Sequence, residues 1–190
     1  MIISFNGDHG SGKSTIAERV AEKLGYPRYY MGKIFRDIAK EKAITLSELT
    51  TLCNNDPEID KQVDQYLVNL SKEQTNFVIE SRTAWHFIPQ SFKVYLKVEE
   101  REGAKRIYNE IQSSASRKEG DRNLNSIENV MLSEKERKNK DDVRYKKYDG
   151  IDIHQEENYD LVIDTTHLSR EDALKEVMTA VSAKLNAKSD

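Results

Sequence analysis

The chain has little of what marks several other classes of protein. Its single cysteine, Cys53, excludes an internal disulfide and a cysteine-cluster zinc site, and it favours a reducing compartment. No apolar run reaches the length of a membrane span, and the first residues do not have the composition of a signal peptide. We therefore expect a cytoplasmic protein that does not bind membranes.

Charge is abundant, but neither sign is in large excess. Lysine and arginine number 30 against 33 aspartates and glutamates, which gives a net charge of -3 at pH 7. Without a basic field, binding to nucleic acid is not expected. A chain of 190 residues suits one compact domain with one core, so we predict a single domain over residues 1–190.

Short apolar strands alternate with helical patterns along the chain. Strands are predicted at residues 1–5, 28–30, 76–80, 92–96 and 159–164. Helical spacing follows the first strand and recurs at about 33–42, after the capping-box pair Thr45 and Glu48, and after Asn55 or Asp56. It recurs again at about 126–147 and after Ser169. This alternation predicts a five-stranded parallel sheet with helices on both faces.

A complete phosphate-binding loop, or P-loop, follows the first strand directly. Its residues are Gly7, Asp8, His9, Gly10, Ser11, Gly12, Lys13, Ser14 and Thr15. The glycines let consecutive backbone N–H groups point at one phosphate, Lys13 can follow a phosphoryl group in transit, and the Ser14 hydroxyl is the expected Mg2+ ligand. The alternative is a glycine-rich turn that binds nothing, but the order of strand, loop and helix favours the P-loop.

Three charged residues recur at helical spacing within the helix predicted at 126–147. Arg137, Asp141 and Arg144 fall on one face, where two guanidinium groups flanking a carboxylate could clamp a phosphate. The alternative is an ordinary solvated helix with salt bridges. Segment 113–125, just before it, has no apolar period and many turn formers, which predicts a mobile loop.

Polar residues also follow the third predicted strand. Glu80 ends that strand, where ligands bind in open parallel sheets, and it could hold a Mg2+-bound water. Arg82 would face the same crevice and bind an acceptor phosphate bidentately, and Arg36 could hold that phosphate from the other side. For each of these three residues, a surface ion pair is the alternative interpretation.

Taken together, these segments resemble the cytidylate kinases of the archaeal type. The resemblance rests on residues 7–15, 30–36, 56–60, 80–85, 144–152 and 159–166. It implies a nucleoside-monophosphate kinase fold with a substrate-binding helical region at about 32–72 and a helical lid at about 110–140. It also implies phosphorylation of CMP or dCMP by ATP, with Mg2+ as cofactor.

The resemblance also assigns roles to individual residues. Lys13 matches the P-loop lysine and Arg106 matches an arginine before the lid. Arg36 and Arg82 match the arginines that bind the acceptor. Beyond the lid, the catalytic set of arginine, acid and arginine corresponds to Arg137, Asp141 and Arg144, with Asp141 also placed at the acceptor. The chain departs from the family pattern at Ser81, where glycine is usual, and in a longer, more polar lid segment.

Two other functions remain possible at this point. The P-loop recognises phosphate and not a base, so the acceptor could be AMP, UMP or a small metabolite. A nucleotide-binding switch module would be expected to carry an Asn-Lys-x-Asp motif, and residues 139–142 match that motif only in part. The expected partners are the nucleotides ATP and CMP or dCMP, bound by a monomer.

Overall fold

The computed structural model describes residues 1–55, 58–113 and 124–187. The strands are β1 (Ile2–Gly7), β2 (Arg28–Tyr30), β3 (Phe77–Glu80), β4 (Phe92–Lys97) and β5 (Leu161–Asp164). The first helices are α1 (Lys13–Leu24), α2 (Met31–Glu41), α3 (Leu46–Asn55) and α4 (Glu58–Glu73). They are followed by α5 (Ala84–Phe87), α6 (Glu100–Ser113), α7 (Ile127–Tyr148), a 3₁₀ turn (Glu156–Asn158) and α8 (Arg170–Asn186).

All five strands lie in one parallel sheet, in the order β2-β3-β1-β4-β5. This confirms the predicted five-stranded parallel sheet. Phe5 in the central strand pairs with Glu80 on one side and with Val94 on the other. The carboxyl ends of the strands therefore meet at one edge, and the P-loop, the residues after Glu80 and the residues after β5 meet there.

Alternate residues of the strands bury opposite faces of the sheet. Ile3 and Phe5 pack with α1 and α8, whereas Ile2 and Ile79 pack with α4, around Leu67. Both faces are thus covered by helices, as a parallel sheet requires. Within the described residues, no helix is both long enough and apolar enough to cross a lipid bilayer.

The helix boundaries follow the predicted caps. Thr45 and Glu48 form the capping box of α3, with Thr45 N donating to Glu48 Oε2 at 2.7 Å and Glu48 N donating to Thr45 Oγ1 at 3.1 Å. Of the two residues predicted to cap α4, Asn55 is the last residue of α3 and Asp56 lies outside the described residues. Residues 114–123, most of the predicted mobile loop, also lie outside the described residues. Helix α6 was not predicted, because the buried face it presents includes Gly103 and Ala104, which give little apolar signal.

Candidate active site

The P-loop depends on close backbone approaches that only glycine allows. Gly7 has a φ of +148°, and a Cβ there would lie 2.1 Å from the carbonyl oxygen of Leu96. Gly10 has a φ of +79°, and its Cβ would lie 2.3 Å from the carbonyl oxygen of Gly103. The loop is therefore wedged between β4 and α6, and any other residue at these positions would displace it.

The N-terminus of α1 has no capping side chain. Gly12 occupies the N-cap with a φ of +83° and no side-chain hydrogen bond, whereas Ser126 and Ser169 cap α7 and α8. The first N–H groups of α1, at Ser14 and Thr15, therefore have no side-chain acceptor among the residues that the structure describes, and they lie at the positive end of the helix dipole. An anion such as a phosphate is suited to this position.

Lys13 is a partly buried cation at the start of α1. Its Nζ donates to the carbonyl oxygen of Gly7 at 3.1 Å. Burial lowers the pKa of Lys13 to about 8, with a further contribution from Arg82, and the negative charge of Glu80 opposes the shift. A phosphate bound in the loop would raise this pKa again, since it would place an opposite charge beside Nζ.

Glu80 is buried at the end of β3 and binds Arg28. The Nε and Nη2 atoms of Arg28 both lie 2.7 Å from Glu80 Oε1. Glu80 Oε2 is buried and has no hydrogen-bond partner among the described residues. One carboxylate oxygen at this edge of the sheet is therefore still unpartnered.

Three buried charged side chains and the partly buried Arg82 alternate in sign beside the P-loop. Asp141 lies 3.0 Å from both Arg82 and Arg144, and Arg144 Nε lies 3.0 Å from Asp60 of α4. Burial favours the neutral form of Asp141, but Arg82 and Arg144 hold the pKa of its carboxyl below the usual range. These ion pairs join α4, α7 and the segment after β3, three parts that are distant in sequence.

Arg82 uses only one of its nitrogens in these contacts. Its Nη2 contacts Nε2 of His9 and lies 3.0 Å from Asp141. Its Nε and Nη1 atoms find no acceptor within residues 1–55, 58–113 and 124–187. Arg82 is thus held in place while N–H groups remain for another anion.

Arg137 lies on α7 one turn before Asp141. Burial and the neighbouring charge of Arg82 lower the pKa of its guanidinium. In the described part of the chain, no carboxylate forms an ion pair with it. An anion bound beside Arg137 would therefore be stabilised by a desolvated cation.

Two other predicted residues, Arg106 and Arg36, form their hydrogen bonds outside this cluster, although the charge of Arg36 helps to lower the pKa of Arg137. Arg106 of α6 donates to the carbonyl oxygens of Thr165 at 2.8 Å, Thr166 at 3.1 Å and Gly10 at 3.4 Å, so it braces the P-loop against the end of β5. Arg36 is exposed and donates to the hydroxyl of Tyr30 at 2.9 Å. The structure brings together Lys13, Glu80, Arg82, Arg137, Asp141 and Arg144.

The sequence analysis missed a pair of buried carboxyls on α4. Asp64 accepts a hydrogen bond from Thr83 Oγ1 at 2.9 Å, and Asp60 is the partner of Arg144. Burial raises the pKa of Asp64 to about 7 and that of Asp60 to about 6. The available signal was their spacing, because both fall on the same helical stripe as the buried Leu67.

A second missed network surrounds the side chain of Asp8. Its Oδ1 accepts from the Tyr95 hydroxyl at 3.0 Å, and that hydroxyl lies 2.7 Å from Nδ1 of His154. His154 Nε2 in turn lies 3.0 Å from Asp142 of α7. Another P-loop residue, Ser11, accepts from Thr165 Oγ1 through its carbonyl oxygen at 3.1 Å. The loop is therefore tied to its surroundings through side chains as well as backbone.

This fold and this loop define the class as P-loop kinases of the nucleoside-monophosphate kinase type. A solved structure of an uncharacterized protein from Eubacterium ventriosum has a TM-score of 0.66 and 16% identity, covering 96% of this chain and 98% of that chain. A shikimate kinase from Bacteroides thetaiotaomicron has a TM-score of 0.62 and 14% identity, over 96% and 98%. At such identities the likeness shows the fold alone, and it confirms the predicted fold class.

The sequence comparisons are more specific. Residues 2–167 match the cytidylate kinase-like family. The chain is 37% identical to a cytidylate kinase from Methanocella arvoryzae over 87% of this chain and 88% of that protein. It is 34% identical to a cytidylate kinase from Pyrococcus furiosus over 95% and 88%. The chain belongs to the cytidylate kinase-like family.

Proposed function

We propose that this protein is a kinase that transfers the γ-phosphoryl group of ATP to CMP or dCMP. Family membership supports the reaction and the pyrimidine acceptor. The observation that supports the site most directly is the meeting of Lys13, Arg82 and Arg137: Arg82 and Arg137 both help to lower the pKa of Lys13, and Arg82 also helps to lower that of Arg137. Glu80 and Asp141 offset part of this positive charge, and an anionic ligand would balance the rest.

The donor binds at the P-loop in this proposal. The backbone N–H groups at the start of α1 hold the phosphates of ATP, and Lys13 accompanies the γ-phosphoryl group as it moves. Arg106 contributes by holding Gly10 against the end of β5. Gly7 and Gly10 let the backbone approach the nucleotide closely.

The residues present fit a magnesium ion. Glu80 offers a buried carboxylate oxygen without a hydrogen-bond partner among the described residues, and Ser14 offers a hydroxyl in the first turn of α1. Oxygen ligands of this kind suit Mg2+. Ser14 would bind the ion and Glu80 would hold one of its waters, and the ion would neutralise charge on the phosphates of ATP.

The acceptor binds on the side of Arg82. Its Nη1 N–H groups, which have no acceptor among the described residues, bind the phosphate of CMP, while Asp141 holds the guanidinium through Nη2. Arg36 closes the rim of this pocket. The region 32–72 carries the acceptor and the region 110–140 acts as the lid. The ion pair between Asp60 and Arg144 joins α4 to α7, the helix that continues beyond the lid region.

The transfer itself requires no covalent enzyme intermediate. A phosphate oxygen of CMP attacks the γ-phosphorus, the bond to the β,γ-bridging oxygen breaks, and ADP leaves. Lys13 and Arg137 neutralise charge on the equatorial oxygens during this step, and Arg144 holds Asp141 in place. Positioning and charge neutralisation therefore account for the rate enhancement.

The switch-module alternative fits the site poorly. Its base-reading motif would place Asp142 against a nucleobase, but Asp142 lies in the middle of α7 and binds His154. Lys140 of the same run lies within the helix and does not follow a strand. The partial motif is therefore part of the helix surface.

A panel of acceptors tests the proposed reaction. ADP release should require an acceptor and should be fastest with CMP or dCMP, compared with UMP, AMP and no acceptor. Arg82→Ala should raise KM for CMP by about tenfold or more and KM for ATP much less, because it removes a charged contact to the acceptor phosphate only. Arg101→Ala, an exposed arginine of α6, is the control. ADP release without acceptor, or equal effects of Arg82→Ala on both KM values, would contradict the proposal.

A further inference from the structure

The side chain of His9 links the P-loop to two other parts of the site. Its Nε2 contacts Nη2 of Arg82, and its Nδ1 contacts the carboxylate of Glu134 on α7. The imidazole therefore lies between the segment after β3 and the helix that carries Arg137. Nothing in the phosphate-binding function of the loop requires an imidazole here, because backbone N–H groups hold the phosphate.

The two partners fix the protonation state of the ring. A carboxylate oxygen can only accept, so Nδ1 carries the hydrogen that points to Glu134. A guanidinium can only donate, so Nε2 presents its lone pair to Arg82. The ring is then neutral, and burial together with the charge of Arg82 lowers the pKa of His9 to about 4, in agreement with this arrangement.

The contact determines how Arg82 is oriented. The two hydrogens of Nη2 go to His9 and to Asp141, which leaves Nε and Nη1 for a ligand. Loss of either partner would free the guanidinium to rotate. A second contact joins the same loop to α7, where Lys138 lies 3.8 Å from Asp8. Docking of α7 on the P-loop and orientation of Arg82 are therefore connected through adjacent residues.

We propose that His9 is a positioning residue, whose neutral imidazole orients Arg82 for the acceptor phosphate when Glu134 of α7 rests on the P-loop. This role depends on the proposed kinase function. The contact of α7 with the P-loop and the orientation of Arg82 then form together, because the same imidazole makes both contacts. The backbone N–H groups of the loop, and not His9, bind the phosphate.

Two substitutions separate the hydrogen bonds of His9 from its volume. His9→Leu fills similar space without donor or acceptor, whereas His9→Gln can donate one hydrogen bond and accept another. In calorimetric titrations with CMP, His9→Leu should weaken binding by about tenfold, as loss of a hydrogen bond to a charged group does. His9→Gln should recover most of that loss, and KM for ATP should change by less than about threefold in either variant.

Coupling experiments test the route through Arg82. The double variant His9→Leu/Arg82→Ala should bind CMP no more weakly than Arg82→Ala alone, because the histidine acts through the arginine. Glu134→Ala should reproduce part of the defect of His9→Leu. Glu136→Ala, exposed on the same helix, is the matched control and should not.

The results of these experiments distinguish a wrong positioning role for His9 from a wrong acceptor site. Equal weakening of CMP and ATP binding by His9→Leu, or wild-type CMP affinity in both His9→Leu and Glu134→Ala, would overturn the positioning role while Arg82→Ala still defines the acceptor site. Unchanged CMP affinity in Arg82→Ala would refute the acceptor site and the positioning role together. If His9→Leu does not fold, Glu134→Ala against Glu136→Ala gives the same decision.

Discussion

The donor and acceptor sides of the site are built in opposite ways. On the donor side, one contiguous loop presents backbone N–H groups, and within the described residues Lys13 hydrogen-bonds only to a backbone carbonyl of that loop. On the acceptor side, Arg82, Asp141, Arg144 and Asp60 come from three distant segments, and each is held by an opposite charge. Rigid backbone organises one half, and paired side chains organise the other.

This difference predicts which substitutions will lower the rate alone and which will also lower the stability of the fold. A backbone cradle keeps its shape when Lys13 is removed, since the glycines and their close contacts define it. A chain of buried ion pairs does not, because removing one member leaves another buried charge without a partner. Substitutions on the donor side should therefore affect the rate, and those on the acceptor side should affect the rate and the fold.

The largest effect is expected from Lys13→Ala. The turnover number should fall by about a thousandfold or more, because the lysine balances charge on the moving phosphoryl group. The free energy of unfolding in urea should change little, since burial already disfavours the charged lysine, as its lowered pKa shows. Lys23→Ala at the other end of α1 is the control. A variant that keeps a tenth of the wild-type turnover would exclude this role for Lys13.

Arg144→Ala and Arg137→Ala compare an ion-paired arginine of the acceptor side with an arginine that forms no ion pair among the described residues. Arg144→Ala leaves Asp60 and Asp141 without their arginine, which should lower the free energy of unfolding by about 3–5 kcal/mol. Arg137→Ala breaks no ion pair among the described residues, so its unfolding should change by less than about 1 kcal/mol while turnover falls by about a hundredfold. Turnover and urea unfolding of both variants measure the contrast. Equal loss of stability would show that Arg137 is also structural.

Much of the fold could be predicted because its signals are local. Each strand is a short apolar run, and the caps at Thr45, Ser126 and Ser169 stand directly before their helices. The predicted positions of all five strands overlap those in the structure. Helix α6 was not predicted because part of its buried face is Gly103. A glycine is required there by the close contact with the P-loop, and it adds nothing to the hydrophobic pattern.

The candidate site also has one part that local sequence signals predict and another part that they do not. The P-loop is contiguous, and the spacing of Arg137, Asp141 and Arg144 needs only the geometry of one helix. The partners of those residues are long-range, and nothing local joins Asp60 to Arg144 or His9 to Glu134. Asp60 and Asp64 are buried carboxylates on an apolar helical stripe. Analysis of hydrophobic spacing does not detect such residues, because it assigns buried positions to apolar side chains.

The smallest change in stability is expected from a substitution of Asp64, and it is also a sharper test of the acceptor side. Its pKa in the folded protein is raised to about 7 from an ordinary 3.8, chiefly by burial. The folded state therefore holds the proton more tightly than the unfolded state, and this contribution to stability is present below about pH 4 and is lost as pH rises to about 7. Above that pH, the protein carries an unfavourable buried carboxylate.

Asp64→Asn should remove this penalty and keep an oxygen that can accept from Thr83. Compared with the wild type, the variant should gain roughly 2 kcal/mol of unfolding free energy at pH 8 and much less at pH 5. Urea unfolding at both pH values measures this, with the exposed Glu136→Gln as control. A gain that does not depend on pH would refute the titration argument. A gain in stability that is accompanied by lower kcat/KM for CMP would mark Asp64 as a residue retained for function at the expense of stability, the pattern expected where buried charges organise the acceptor side.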